Sequence, residues 1–185
     1  MPGHGPTDRV PEPADGPSWH DRAGARMDPG QGEVRLPREL MLEIYGHARE
    51  CHPEECCGVV VGRPDPAGWR AVRCSNVQNA RRAQGDSDLD ARHAFWIDER
   101  ELLEALKRAE GRGEQLRAIY HSHVDTAAYL SHEDLRGALG ANGQPQWPGT
   151  AQIVVSVWED GVRGAGWFAW DDAGERYRGR PIASD

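Results

Sequence analysis

Leu116-Arg117-Ala118-Ile119-Tyr120-His121-Ser122-His123, followed after seven residues by Ser131-His132-Glu133-Asp134, is the stretch that decides how this chain folds and what chemistry it holds. The run from Leu116 to Tyr120 is apolar and β-prone, so His121 and His123 fall at i and i+2 on a strand and point to one face. Asp134 lies just inside a helix start, where a turn brings its carboxylate back toward the same cleft. Two imidazole nitrogens and one carboxylate oxygen leave a fourth position for water, the catalytic rather than the structural arrangement of tetrahedral zinc.

A plainer reading competes for part of this stretch. Ser131-x-x-Asp134 ahead of Leu135, Ala138 and Leu139 also fits a helix-capping box. Capping leaves the two strand histidines unexplained, and the two roles are compatible. The chemistry needs a base as well, and His52-Pro53-Glu54-Glu55-Cys56-Cys57-Gly58 ahead of Val59-Val60-Val61-Gly62 offers one at the start of a strand.

Taken as a set, these segments resemble the JAMM (MPN+) metallopeptidase family, whose motif runs from a glutamate three residues before a strand-starting glycine to His-x-His-x7-Ser-x-x-Asp. The resemblance covers roughly residues 36 to 170. It implies that Glu55, not Glu54, is the catalytic glutamate, that His121, His123 and Asp134 ligate Zn2+, and that Ser131 helps to bind the oxyanion. It also implies the family's curved mixed β-sheet flanked by helices. Many members carry proline after the second histidine, where this chain has Val124; the departure touches no ligand. The chain is more similar to small bacterial members that trim ubiquitin-like sulfur-carrier proteins. The implied reaction is hydrolysis of an amide or isopeptide bond after the C-terminal Gly-Gly of such a carrier. Strand addition of the extended tail is expected, with Val124–Leu130 and Ala141–Pro148 as clamps. The rival readings are a zinc hydrolase of a small-molecule amide and a non-catalytic scaffold of the same fold, although no ligand position is lost here.

With 185 residues the chain suits one domain with a real core. A net charge of −8 disfavours nonspecific binding to nucleic acid or anionic membrane. No apolar run approaches the length of a membrane span, and the N-terminus lacks a secretory pattern, so a cytoplasmic protein is expected. Cys51, Cys56, Cys57 and Cys74 are then free and mostly buried thiols. They form no Cys-x-x-Cys pair, and His52-Pro53-Glu54 lacks the second half of a zinc-deaminase signature. Cys57 beside a histidine suits a cysteine-protease nucleophile less well than a small core residue.

Residues 1–33 hold six prolines and six glycines and almost no aliphatic side chains, a composition expected to stay disordered. Met27 offers a second translation start. The α/β domain is expected over 34–172. It begins with a helix from Pro37 carrying Leu40, Met41, Ile44, Ala48 and Cys51, followed by a hairpin of strands near 56–62 and 69–77. An irregular loop is expected over 78–92, a short strand at 94–97, and a helix from Asp98 with Leu102, Leu103, Leu106 and Ala109 on one side. After the histidine strand and the Ser131 helix, strands near 150–158 and 163–170 close the domain, and 173–185 is read as a frayed tail.

Overall fold

The computed structural model describes residues 24–183. Its strands are β1 (Cys57–Gly62), β2 (Arg70–Cys74), β3 (Gln115–Val124), β4 (Ala151–Trp158), β5 (Gly161–Asp171) and β6 (Arg176–Pro181). Four helices accompany them: α1 (Arg38–Cys51), α2 (Gln78–Gln84), α3 (Glu99–Glu110) and α4 (His132–Ala138). The six strands form one sheet in the order β2-β1-β3-β4-β5-β6. The β3–β4 pair is parallel and the other neighbours are antiparallel. This bears out the mixed α/β reading. No helix among the described residues is long and apolar enough to cross a membrane.

Both faces of the sheet are covered, which is why β1 and the second half of β3 read as continuous buried runs rather than alternating ones. On one face, Leu40, Met41, Ile44 and Ala48 of α1 pack on Val60, Ala118, Tyr120, Ile153 and Val155. On the other, Ala105 and Ala109 of α3 meet Val59, Val61 and Ile119, while Leu135 and Ala138 of α4 and Leu139 just after it meet Val154 and Phe168. His121 lies in register between Cys57 and Val154 on this second face. The row Ile119, His121, His123 therefore opens between the patches covered by α3 and α4.

Several elements differ from the sequence-based expectation. A helix, α2, stands at the head of the expected loop; it lacks an apolar stripe, so periodicity has nothing to detect. Gly85 ends it in the left-handed region (φ 83°) with its N–H turned back to the Arg81 and Arg82 carbonyls. The expected strand at 94–97 reduces to one bridge between Asn76 and Ile97. Leu103 points to solvent at 52% exposed, and Ala105 and Ala109 do the packing, because adjacent positions such as Leu102 and Leu103 diverge by about 100° around a helix. Arg176–Pro181 is not frayed but pairs with β5, burying Tyr177 and Gly179 while the arginines on its outer face mask the alternation. At the other end, residues 1–23 lie outside the described residues, but 24–33 do not fit a disordered tail. Ala25 bridges to Leu130, Met27 runs beside Gly179 and joins the Leu130–Phe168 cluster, and Val34 runs beside Ile182.

Candidate active site

Strand β3 delivers His121 and His123, and α4 delivers Asp134. His121 is fully buried beneath the Phe95 ring, with centroids 4.3 Å apart. Neither of its ring nitrogens has a hydrogen-bond partner. His123 Nδ1 donates to the Ala127 carbonyl at 3.2 Å, which leaves Nε2 presenting a lone pair to Asp134 Oδ2, also at 3.2 Å. His121 Nε2 lies 3.3 Å from Asp134 Oδ1. With the ring neutral, two acceptors then face each other in a buried site, and a cation between them, a proton or a metal ion, satisfies both. The three side chains offer one ligand atom each within 4.8 Å of one another. The donor set and the orphaned nitrogens of His121 fit a divalent metal, and two imidazoles with one carboxylate suit zinc.

The capping box and the triad coexist. Ser131 N–H donates to Asp134 Oδ2 at 2.7 Å, and Asp134 N–H donates to Ser131 Oγ at 3.1 Å. The cap thus fixes the carboxylate that the histidines face, while the Ser131 hydroxyl proton is not consumed by it. Burial pushes His121 down, toward the neutral imidazole that a metal ion requires. Burial works to raise Asp134, but positive charge on the facing His121 and His123 rings outweighs it and holds this carboxyl well below the ordinary value, the effect that a metal cation there would also have.

Glu54 and Glu55 have opposite surroundings. Glu54 is exposed and accepts from Asn79 Nδ2 at 2.8 Å. Glu55 is 5% exposed, and its Oε2 has no partner. Burial first, and the Asp134 charge second, push its carboxyl up to about 10; positive charge at the triad acts in the opposite direction. Three bonds hold the backbone here. Glu55 N–H donates to the Ala91 carbonyl at 2.7 Å, Asn76 Nδ2 donates to the Glu55 carbonyl at 3.0 Å, and Cys56 N–H donates to Ser122 Oγ at 2.9 Å.

The structure therefore brings His121, His123, Asp134 and Ser131 together and places Glu55 as a buried side chain whose Oε2 has no partner and which feels the Asp134 charge. Reasoning from sequence missed Phe95, Asn76 and Ser122. Ser122 carried a signal: alternation sets it on the face opposite the histidines, among apolar residues, where a buried hydroxyl needs a partner. Phe95 carried none, since its contact with His121 exists only across the fold.

A groove of about 400 Å³ leads to Asp134 between the Phe95–Ile97 segment and α4, with Gly137, Trp147 and Gln152 also lining it. Of the two expected clamps, the 141–148 loop contributes Trp147. The 124–130 spacer supplies none of the lining; its Ala127 carbonyl and Tyr129 ring pack on His123 instead.

A family model of prokaryotic homologues of the JAB domain matches residues 37–172. The CysO-cysteine peptidase of Mycobacterium tuberculosis is 33% identical over 99 residues, which cover 53% of this chain and 60% of the relative. The desampylase of Haloferax volcanii is 27% identical over 128 residues, 66% of this chain and 80% of that protein. The solution structure of a Desulfitobacterium hafniense protein superposes with a TM-score of 0.57 at 23% identity, over 80% of this chain and 90% of that one, a likeness of fold.

Proposed function

The chain belongs to the family of prokaryotic JAB-domain homologues, and from that premise we propose that it is a zinc-dependent peptidase or isopeptidase. Its substrate in this reading is a ubiquitin-like sulfur-carrier protein, cut after the C-terminal Gly-Gly. The observation that carries the proposal is the convergence of His121, His123 and Asp134 beside a groove, together with a buried carboxyl, Glu55, whose Oε2 has no partner. The substrate class follows the resemblance to carrier-trimming members and agrees with relatives named CysO-cysteine peptidase and desampylase. A cytoplasmic setting suits the four free thiols.

His121, His123 and Asp134 would hold the divalent ion, which when bound would supply Lewis acidity toward the scissile carbonyl and make nearby water more acidic. Glu55 takes a proton from the attacking water and passes it to the leaving amine. Ser131 donates a hydrogen bond from its hydroxyl to the carbonyl oxygen as negative charge develops there. The groove receives the tail. Trp96 turns its N–H to Asn76 and its carbonyl to Val77, so Phe95 and Ile97 direct their backbone groups to the opposite edge, available for pairing with an extended peptide. Glycines suit a narrow passage to the triad because they carry no side chain.

The purified protein is expected to contain about one zinc per chain. It should cut a ubiquitin-like carrier ending in Gly-Gly-Cys after the second glycine. Replacing that glycine by valine should block cleavage without displacing zinc. Efficient turnover of the valine form, or a preference for unrelated small amides, overturns the substrate class while leaving the zinc hydrolase in place.

A further inference from the structure

Asn76 belongs to neither the triad nor the base, and its carboxamide is fully used. Nδ2 donates to the Glu55 carbonyl at 3.0 Å and to the Ala94 carbonyl at 3.2 Å. Oδ1 accepts from Trp96 N–H and from Gln78 N–H, both at 3.0 Å. A primary amide has two donor hydrogens and one oxygen with two lone pairs, so nothing is left over. The four bonds reach three places: the segment bearing Glu55, the groove wall at 94–96, and the first residue of α2. The Asn76–Ile97 bridge and the bond from Val77 N–H to the Trp96 carbonyl at 2.8 Å hold the same wall.

Glu55 needs such support. Because its Oε2 is unpartnered, the direction of the side chain depends on the backbone that carries it. That backbone is fixed by the Ala91 carbonyl, the Asn76 amide and, one residue on, the Ser122 hydroxyl. Asn76 alone among these also holds the wall, and the wall carries Phe95 on the His121 ring and Trp96 on the groove.

We infer that Asn76 is a positioning residue that aims Glu55 at the scissile bond and locks the base to the groove wall, so that the proton-transfer group and the substrate tail keep one register. The inference rests on the proposed role of Glu55 as the base. A displacement of about 1 Å in a catalytic group costs on the order of 10²-fold in rate, so two hydrogen bonds to the base's own segment are enough to matter.

Asn76→Asp separates the two halves of the amide. It keeps both accepted bonds, to Trp96 and Gln78, and replaces both donated ones with a carboxylate oxygen against two carbonyls. Full-length wild type, N76D, N76A, E55Q and the double variant E55Q/N76D are compared for zinc content, melting temperature, and kcat and KM on the Gly-Gly-Cys carrier. N76D should lower kcat about 10²-fold while zinc content stays at the wild-type level and KM rises less than in N76A, because the wall keeps its Trp96 bond and loses only the one at Ala94. N76A should raise KM as well, since the wall then loses its acceptor. In the E55Q background N76D should add less than about a two-fold further loss, because the group it aims is already disabled.

Multiplicative losses in the double variant, or an unchanged kcat in N76D, overturn the inference alone. A fully active E55Q overturns the base assignment and the inference with it. If N76D does not fold, the same cycle is run with N76A; if neither folds, Asn76 is a structural residue and the inference falls.

Discussion

Glu54 and Glu55 share a side chain and a sequence neighbourhood, yet one points to water and the other into the core beside the triad. Glu55→Gln should retain zinc and lose about 10² to 10⁴ in turnover, the usual worth of a general base, while Glu54→Gln loses only a surface bond to Asn79 and stays close to wild type. Metal analysis and a cleavage assay on both variants check this, and equal turnover in the two counts against the assignment. The structure also explains why the glycine three residues after the glutamate is a glycine. A Cβ on Gly58 would sit 2.4 Å from the Val72 carbonyl oxygen and 2.5 Å from the Tyr120 hydroxyl. Motif spacing marked this residue; the crowding behind it arises across β1, β2 and β3 and is invisible in one strand's sequence.

The short segment 24–34 was the least legible element, because its Pro/Gly composition conceals a backbone that pairs. Leu130 N–H donates to the Ala25 carbonyl at 2.8 Å, Asp28 N–H donates to the Gly179 carbonyl at 2.7 Å, and Met27 packs with Leu130 and Phe168. Arg26 lies over Tyr129, whose ring meets His123 edge-on. The segment thus braces the chain immediately before Ser131. A chain shortened to begin at Val34 is expected to melt at lower temperature and to turn over more slowly than the full chain. Met27→Ala by itself should cost about 1–3 kcal/mol, as expected for a partly buried side chain of this size. Thermal melting and a cleavage assay check the first and denaturant titration the second; a shortened chain as stable and active as the full one rules out this bracing role.

For the molecule as a whole, the buried triad ties metal content to stability as well as to chemistry. Chelation should abolish hydrolysis and lower the melting temperature together, because a ligand bound only by the folded state stabilises it, and its removal leaves Asp134 facing imidazole lone pairs in a dry site. A thiol alkylator should spare activity. Cys56, Cys57 and Cys74 are buried, and burial pushes Cys56 up to about 12 and Cys74 up to about 11, which leaves almost no thiolate to react. The reverse inhibitor pattern, scored by activity and thermal melting, moves the chemistry to Cys57. The sequence by itself determined the histidine strand, the capped helix carrying Asp134 and the mixed α/β class, because periodicity, capping and residue spacing are local properties written within a few residues, while the choice of Glu55 over Glu54 came from the family resemblance. Only the tertiary structure decided that β6 completes the sheet and residues 24–34 bridge to its margin, that Phe95 covers His121, and that Asn76 joins the Glu55 segment to the groove wall. Those contacts join segments far apart in the chain, and their partners are polar or turn-prone residues whose worth depends on burial, which no local pattern encodes.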